Sequence, residues 1–504
     1  MGFCCHPSRR EFLRWAGLVA ATPLLFSLEE RSARATSRAV APVNLELVTL
    51  AETSVVLTWF TGDLSQPPDS FGRLAPAPAD TEVWLGTSAQ KLRLAYHDST
   101  ATPYHYAEIT GLEPGQTYFY VAKSNGIPAV PAVSANGSPL GSSTLGLGTS
   151  SPGLALASPV SFTTPHPPPG RHLFSIALCN DLHLGETVAG LATTVPGVGG
   201  VPPGISQIDG KAPYAEIMAR ALSAEARQRG ADLLLAAGDI SSEAGQMDVN
   251  DAKSYLDRFG TYRSDYFVTR GNHDRPHNTA AASACSSVAG AAGYHDCFVD
   301  AFFTSGPTWF ETSFNGLRII GLDTYDKPPP ANGGDNGMMS APQFAWLSER
   351  LRSDPDTPTL VAGHHPVTVE SDLTTVGKPT MFDLDPQQAM QLEALYAKAP
   401  GVFLHHAGHT HRNKRTVSTG APGVVFQEVA AVKEYPGGFH LLRVFSGGFA
   451  LNFYKFRDPD AQAWSERSRP EYEGLAPFYT FGNASDRNAV FAHDLTGLTP
   501  ASVR

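Results

Sequence analysis

The sequence predicts an α/β domain preceded by an all-β sandwich, and two patterns carry that prediction. From residue 42 to residue 165 short runs alternate apolar with polar residues, whereas residues 171–458 alternate apolar strands with helical stretches. Period-two alternation is typical of half-buried strands, and a strand–helix–strand succession is typical of parallel sheets. A leader at residues 1–35 and an extension at residues 459–504 complete the predicted organisation.

The composition is that of a globular chain with room for two or three domains. The 504 residues are 42% hydrophobic, and 37 Lys+Arg against 48 Asp+Glu give a formal net charge of −11. This acidic balance argues against a surface that coats nucleic acid or binds anionic membranes. Five cysteines are too few for a disulfide framework, and for Cys285 and Cys297 one loop disulfide and two free thiols are equal alternatives.

The leader has the features of an export signal. Arg9 and Arg10 precede the apolar stretch Trp15–Leu28, and Ala33-Arg34-Ala35 is a small-x-small cleavage site. This order resembles a twin-arginine signal, which implies passage through the twin-arginine translocase to a periplasmic or secreted location. Because the apolar stretch is shorter than the roughly 20 residues that span a bilayer, we expect no permanent membrane span.

Runs rich in β-branched and aromatic residues predict the strands of the sandwich. A Pro-Gly turn within Gly111–Tyr118 resembles the fibronectin-III-like domain that precedes the catalytic domain of purple acid phosphatases. Because this region contains no convergent set of titratable groups, we expect a scaffolding or substrate-restricting role, with a carbohydrate- or protein-binding module as the alternative. A long loop is expected over residues 124–159. The predicted strands are Ser54–Phe60, Thr81–Leu85, Tyr104–Ile109, Thr117–Val121 and Phe162–Pro165.

In the α/β domain a polar motif follows each of five apolar strands. The carboxyl ends of parallel strands gather at one edge of a sheet, so we expect these motifs to meet. A helix over residues 214–228 supports a parallel crossover between the first two strands. The pairs of strand and motif are Leu173–Leu178 with Asn180–His183, Ala231–Ala237 with Gly238–Asp239, Tyr266–Thr269 with Gly271–Asp274, Thr359–Ala362 with Gly363–Pro366, and Gly401–Leu404 with Gly408–His411.

The residue types in these motifs favour metal ligation. Asp181 and His183 are two residues apart, which puts both side chains on one face of a strand end where they can share an ion. A single motif of this kind is usually a surface turn. Five of them in one order indicate a site.

The motifs, in the order D-x-H, G-D, G-N-H-D, G-H-H-P and G-H-x-H, resemble those of calcineurin-like metallophosphoesterases. The resemblance implies a four-layer α/β/β/α sandwich that holds two divalent or trivalent metal ions. Nitrogen and oxygen ligands without thiolate suit Fe, Mn or Zn. By this resemblance one ion takes Asp181, His183 and His411, the other takes Asn272, His364 and His409, and Asp239 bridges them.

The resemblance also implies the reaction, which is attack of a metal-bridging hydroxide on a small phosphoester substrate. His273 is similar to the family histidine that protonates the leaving group, and Asp274 either orients His273 or stabilises the turn. His364 is assigned as the ligand because it stands two residues before Pro366, with His365 as the alternative.

Two positions depart from the pattern of purple acid phosphatases. Ser242 stands where those enzymes have a tyrosine ligand, and His183 is present where they lack a histidine. The domain is therefore closer to phosphodiesterases, although monoesterases share the D-x-H motif. We expect a slight preference for phosphodiesters, with a phosphomonoesterase as the alternative and a noncatalytic metal-binding surface protein as the rival.

Several segments flank the motifs without a firm role. For the insertion at residues 184–213 and for Tyr325 and Asp326, a pocket-shaping role and a passive loop are equal alternatives. For the residues after the last motif, a solvated surface is favoured over a second phosphate contact, and Tyr435 is a weak pocket position. Those residues are Arg412, Asn413 and Arg415.

Overall fold

The fold is taken from a computed structural model. It describes residues 40–69, 73–131, 160–190, 204–275, 296–304, 306–326, 335–375, 383–469, 471 and 476–501. The predicted export signal, Cys285 and most of the 124–159 loop lie outside these ranges, so the predictions for them stay untested. Cys297 forms a disulfide, so the alternative of a free thiol is wrong for it. Within the described ranges, no helix combines the length and the apolar character needed to cross a membrane.

The N-terminal region is an all-β sandwich. Its strands are β1 (Val40–Leu50), β2 (Ser54–Asp63), β3 (Ala75–Pro76), β4 (Ala79–Gly86), β5 (Arg93–Thr102), β6 (Tyr104–Thr110), β7 (Thr117–Ser124), β8 (Ile127–Pro128) and β9 (Val160–Thr163). One sheet has the order β1-β2-β3 with β6 beside β2, and the other has β5-β4-β7-β8 with β9 beside β7. Val55 and Leu57 of β2 and Tyr118 and Tyr120 of β7 point into the core, because alternate residues of a strand share one face.

The α/β domain contains the remaining strands. They are β10 (His172–Cys179), β11 (Val188–Ala189), β12 (Ile205–Ser206), β13 (Leu233–Ala237), β14 (Tyr266–Thr269), β15 (Phe310–Phe314), β16 (Leu317–Gly321), β17 (Thr359–Ala362), β18 (Val402–Ala407), β19 (Lys414–Val417), β20 (Val425–Glu428), β21 (Gly438–Phe445), β22 (Gly448–Lys455) and β23 (Asn488–Ala492).

Its helices cover the sheets and the C-terminal extension. They are α1 (Tyr214–Gln228), α2 (Gln246–Leu256), α3 (Cys297–Phe302), α4 (Ala341–Ser353), α5 (Val369–Asp372), α6 (Pro386–Tyr396), α7 (Pro459–Ser468), α8 (Ala476–Phe481) and α9 (Ala484–Arg487).

Two six-stranded mixed sheets form the body of the α/β domain. The first has the order β14-β13-β10-β21-β22-β23, and the second has β15-β16-β17-β18-β20-β19. Strands β10, β13 and β14 run parallel, as do β16, β17, β18 and β20. In the first sheet Ile176 faces Leu233 on one side and Leu442 on the other. The carboxyl ends of the parallel strands therefore gather at one edge of each sheet.

Three apolar cores make the domain four layers thick. Ile176 of the first sheet and Ile319 of the second point into the core between the sheets. Their neighbours point the other way: Ala177 contacts the core shared with α1 and α2, and Ile320 contacts the core shared with α4 and α6. Alternation along each buried strand thus produces the order helix, sheet, sheet, helix. The predicted four-layer α/β/β/α architecture is confirmed.

The sandwich packs directly on the α/β domain. Val48 of β1 joins the apolar core that α1 borders, and the Thr49 hydroxyl donates to the carbonyl of Phe453 at 2.5 Å. The Arg487 guanidinium donates to the carbonyl of Leu47 at 2.7 Å. Because these contacts are buried, the two domains form a continuous interior.

Candidate metal centre

The five motifs meet at the edge of the α/β domain where the parallel strands of both sheets end. Asp181 follows β10, Asp239 follows β13 and Asn272 follows β14 in the first sheet, while His364 follows β17 and His409 follows β18 in the second. All five side chains are buried or nearly so. The predicted ligands therefore converge from both halves of the domain, as parallel strand ends require.

One group consists of Asp181, His183 and His411. Their ligating atoms all lie within 4.8 Å of one another. The Nε2 atom of His411 is 3.2 Å from Oδ1 of Asp181, and the Nε2 atom of His183 is 3.6 Å from the same oxygen. Two imidazoles and one carboxylate thus face a common point, which is a usual arrangement for a transition metal.

A second group consists of Asp239, His364 and His409, again within 4.8 Å. Nε2 of His364 lies 3.0 Å from Oδ2 of Asp239 and 3.1 Å from Nδ1 of His409. The same Asp239 oxygen is 3.5 Å from Nε2 of His183, which belongs to the first group. Asp239 therefore stands between the two groups, in the position that the sequence predicts for a bridging ligand.

The side-chain amide of Asn272, which follows β14, is unusual because of its oxygen. Its side-chain oxygen is buried and has no hydrogen-bond partner among the residues that the structure describes. Leaving a buried polar atom unsatisfied costs free energy, so such atoms are rare without a functional reason. The two chain neighbours of Asn272 approach Asp239, since the amide of His273 donates to its Oδ1 and Gly271 packs against it. An unsatisfied acceptor oxygen at this position fits a cation, and the residues present therefore fit a pair of metal ions.

The backbone at the ligands is strained. Positive φ angles occur at Asp181 (53°), His183 (46°), Asp239 (51°), His409 (66°) and His411 (54°). Residues other than glycine rarely adopt this left-handed backbone region, and such strain tends to accumulate at functional sites. The loops reverse sharply at the ligands and so turn each side chain into the same space.

The site is electrostatically polarised by two buried carboxylates. Burial alone raises the pKa of Asp181 and Asp239, but the neighbouring histidines outweigh it and hold both pKa values well below the usual range. Burial lowers the pKa of His364, whereas Asp239 and Asp181 raise it to about 9. The same balance, with Asp181 and Glu434 as the anions, raises the pKa of His411 to about 10. Ionised carboxylates in a buried site favour cations.

The two adjacent histidines have different surroundings. The Nδ1–H of His364 donates to the carbonyl of Ala237 at 2.8 Å, so Nε2 faces the site. In His365 both ring nitrogens are engaged elsewhere, Nδ1 with the Thr324 hydroxyl at 2.7 Å and Nε2 with the carbonyl of Asp335 at 2.9 Å. The geometry supports His364, not His365, as the ligand.

Comparison with known proteins identifies the domain. Residues 174–413 match the family described as calcineurin-like phosphoesterase. The chain contains a calcineurin-like phosphoesterase domain. This domain places it among hydrolases that act on phosphoester bonds. Residues 40–135 match the purple acid phosphatase N-terminal domain, which agrees with the predicted sandwich.

Individual relatives of the phosphoesterase domain are distant. A probable cyclic nucleotide phosphodiesterase from Synechococcus sp. is 26% identical over 194 residues, which cover 38% of this chain and 63% of that protein. The match therefore spans less than two thirds of that relative's length.

Two solved structures are also similar. A dimetal phosphatase from Danio rerio is 14% identical, with 56% of this chain and 96% of that chain covered and a TM-score of 0.40. Purple acid phosphatase PPD1 from yellow lupin (Lupinus luteus) seeds is 16% identical, with coverages of 83% and 73% and a TM-score of 0.34.

His273 and Asp274 occupy different environments in the phosphoesterase domain. The ring of His273 lies 4.6 Å from that of His183, and its Nδ1 is 2.6 Å from the carbonyl of Ser242. Asp274 accepts hydrogen bonds from the amides of Ser241 at 2.9 Å and Gly271 at 3.0 Å. Burial, reinforced by the charge of Asp239, raises the pKa of Asp274 to about 6. Asp274 thus joins two motif loops, which favours the structural alternative for this residue.

Three residues that the sequence analysis did not assign lie directly behind the first group. Glu186 Oε2 is 3.1 Å from Nδ1 of His183, and Glu434 Oε1 is 2.6 Å from Nδ1 of His411. Lys433 contacts both carboxylates. Glu186 follows His183 by three residues, so its closeness to His183 could have been predicted from the sequence. The closeness of Glu434 to His411 depends on the tertiary fold.

The flanking residues differ from expectation. Arg412 is buried and pairs with Glu428, with Nε 2.6 Å from Oε2, so the prediction of a solvated surface is wrong there. Asn413 is also buried, and its side-chain oxygen accepts from the amide of Ala430. Tyr435 is buried with its hydroxyl on Glu46 of the sandwich, so it does not line a pocket at the metal centre.

Proposed function

We propose that the phosphoesterase domain binds two metal ions side by side and hydrolyses a small phosphoester. Asp239 carries this proposal, because its Oδ2 lies 3.0 Å from His364 and 3.5 Å from His183, one residue of each group. Fe, Mn or Zn would suit the mixed donors. The proposed ligands are Asp181, His183 and His411 for one ion, Asn272, His364 and His409 for the other, and Asp239 for both.

The protein's contribution is to hold these groups in place. Two such ions, when bound, supply positive charge for the phosphoryl oxygens and a water of lowered pKa. The amide of His273 donates to Oδ1 of Asp239 at 2.9 Å, which leaves Oδ2 facing His183 and His364. The backbone amide of His409 likewise donates to Oδ2 of Asp181 at 3.0 Å. Both carboxylates are therefore oriented by the backbone.

His273 is the proposed proton donor to the leaving group. Because its Nδ1–H donates to the Ser242 carbonyl, the proton that it exchanges with substrate is on Nε2. The ring is only partly buried, which allows contact with a substrate from solvent.

Phosphodiesters are the favoured substrate class, and phosphomonoesters are the alternative. His183, which belongs to the D-x-H motif, is turned into the site with Nε2 3.6 Å from Asp181. The Synechococcus relative, whose name is that of a probable cyclic nucleotide phosphodiesterase, supports the same choice.

The test is metal-dependent cleavage by the purified chain. Samples loaded with Mn²⁺, Zn²⁺ or Fe²⁺ are assayed with bis(4-nitrophenyl) phosphate, 4-nitrophenyl phosphate and a cyclic nucleotide. We expect turnover of the diester to exceed that of the monoester and to disappear with a chelator. A metal-loaded chain that cleaves none of the three would contradict the proposal, and faster monoester cleavage would favour the alternative.

We also propose export through the twin-arginine translocase to a periplasmic or secreted location. The pattern of residues 8–35 supports this proposal. A full-length chain with Arg9→Lys and Arg10→Lys is expected to accumulate unprocessed inside the cell, whereas the unchanged chain is expected outside the cytoplasm. Equal export of both would contradict it.

A further inference from the structure

In the two halves of the proposed metal centre, the Nδ1 atoms of the histidines contact different kinds of group. In the half with Asp181, the Nδ1 atoms of His183 and His411 lie 3.1 Å from Glu186 and 2.6 Å from Glu434. In the other half, Nδ1 of His364 donates to the neutral carbonyl of Ala237. Only the first half therefore has carboxylates behind both of its histidines.

One lysine joins the two supporting carboxylates. Nζ of Lys433 lies 2.6 and 2.8 Å from the two oxygens of Glu186 and 3.2 Å from Oε2 of Glu434. Burial lowers the pKa of Lys433, but Glu186 and Glu434 outweigh it and raise that pKa above its usual value, so the ammonium stays charged. Two buried carboxylates without this cation would repel each other and lack compensation.

The lysine is itself held against the first ligand. The backbone amide of Lys433 donates to the carbonyl of Asp181 at 3.1 Å, and the Tyr214 hydroxyl donates to Glu186 at 2.6 Å. We call Glu186, Lys433 and Glu434 the carboxylate frame. It is connected to Asp181, His183 and His411 and to no other predicted ligand among the contacts of the described residues.

We propose that the carboxylate frame positions His183 and His411 and thereby sets the affinity of one half of the metal centre. This inference rests on the proposed function. The Nδ1–H of His411 donates to Oε1 of Glu434 at 2.6 Å, and such a carboxylate fixes the tautomer, aims Nε2 at the ion and makes it a stronger donor. Glu186 lies at ion-pair distance from Nδ1 of His183 and acts on that ring through its charge. Glu186 and Glu434 are positioning residues, because they act through the histidines and do not touch the site itself.

The test uses the isosteric variants Glu186→Gln and Glu434→Gln of the full chain. Each protein is stripped with a chelator and titrated with Co²⁺, while bound cobalt and its visible absorption are measured. We expect the unchanged chain to bind two ions. Each variant should bind one ion unchanged and the other roughly 10–100-fold more weakly, with an altered absorption spectrum for the weakened ion.

A matched control separates positioning from general stability. Glu225 is a buried carboxylate whose cationic partners are Arg229 at 2.8 Å and Arg457 at 2.9 Å. Glu225→Gln should lower the unfolding temperature and leave both cobalt affinities and the spectrum unchanged. Because Glu186 and Glu434 share Lys433, the two substitutions are made as separate single variants, and either folded variant gives a result.

The possible failures are distinguishable. The inference is overturned if a folded frame variant binds two ions as tightly as the unchanged chain, or if it loses both ions equally. An unchanged chain that binds fewer than two ions overturns this inference together with the proposed metal pair. Two bound ions without phosphoester turnover contradict the proposed function alone.

Discussion

His273 is the residue whose chemistry is most open to direct measurement. Replacing it with Ala removes the proposed proton donor, and we expect kcat to fall by roughly 10²–10⁴ on an alkyl phosphodiester. The loss should be smaller on bis(4-nitrophenyl) phosphate, because nitrophenolate leaves without protonation. Steady-state kinetics on both substrates, with metal content measured in parallel, makes the comparison.

The control for His273→Ala is His166→Ala, which replaces an exposed histidine that belongs to none of the candidate metal-binding groups of the described residues. It should change neither rate nor metal content. Equal losses on both substrates with metal retained would remove His273 from the role of proton donor. Loss of an ion in His273→Ala would instead make it a ligand, since its ring lies in a group with His183 and Asp239.

At the scale of residues, the sequence predicted the side chains that converge on the site better than the residues that contact them from behind. Asp181 and His183 were grouped because they lie two residues apart after a strand. In the structure both follow the end of β10 and have positive φ angles, so a sharp loop, not strand alternation, brings their side chains together. Glu434 reaches His411 from 23 residues further along the chain, and only packing shows this. The prediction that Arg412 is solvated was wrong for the same reason, because tertiary packing pairs its guanidinium with Glu428 on β20.

At the scale of elements, glycines allow the strand ends to approach each other. Gly271 precedes Asn272, and a Cβ atom there would overlap Oδ1 and the backbone nitrogen of Asp239. We expect Gly271→Ala to displace the Asp239 carboxylate, destabilise the fold by about 1–3 kcal/mol and reduce metal binding. Chemical denaturation and metal stoichiometry measure the two effects.

Gly423→Ala is the matched control for Gly271→Ala, because a Cβ atom at Gly423 would meet open space. It should leave stability and metal content near their original values. If Gly271→Ala binds both ions normally, close packing of the motif loops is not needed for the site.

Elements with strong apolar patterns were predictable, and exposed ones were not. Helix α1 and strands β14 and β17 have the predicted bounds, Tyr214–Gln228, Tyr266–Thr269 and Thr359–Ala362. Strand β5, Arg93–Thr102, was missed because it is exposed along almost its whole length and so lacks apolar alternation. Its existence depends on pairing with β4.

Across the whole molecule, a buried ionic contact joins the sandwich to the segment that carries the carboxylate frame. Glu46 of β1 accepts hydrogen bonds from the Tyr435 hydroxyl and from Arg469, and its Oε2 lies 3.2 Å from Nζ of Lys455. Tyr435 directly follows Glu434 in the chain. These contacts attach the sandwich to the loop behind His411. The scaffolding role of the sandwich stays a prediction.

Glu46→Gln tests this ionic contact. The substitution leaves Lys455 buried without its anion and leaves Arg469 with Glu466, 3.2 Å away, so we expect the free energy of unfolding to fall by about 3–5 kcal/mol at pH 7. Tyr435→Phe removes one hydrogen bond and should cost only about 0.5–1.5 kcal/mol. Urea denaturation, followed by Trp fluorescence and by metal release, compares the three proteins.

The effect of Glu46→Gln should depend on pH in a defined direction. Burial raises the pKa of Glu46, but Arg469 and Lys455 outweigh it and lower the pKa from 4.5 to about 2. The ionised carboxylate therefore stabilises the fold fully above pH 4.5, and this contribution is lost as the pH falls toward 2. The difference in unfolding free energy between the unchanged chain and Glu46→Gln should narrow below pH 4.5. A difference that is constant from pH 7 to pH 3 would mean that the charge of Glu46 does not hold the two domains together.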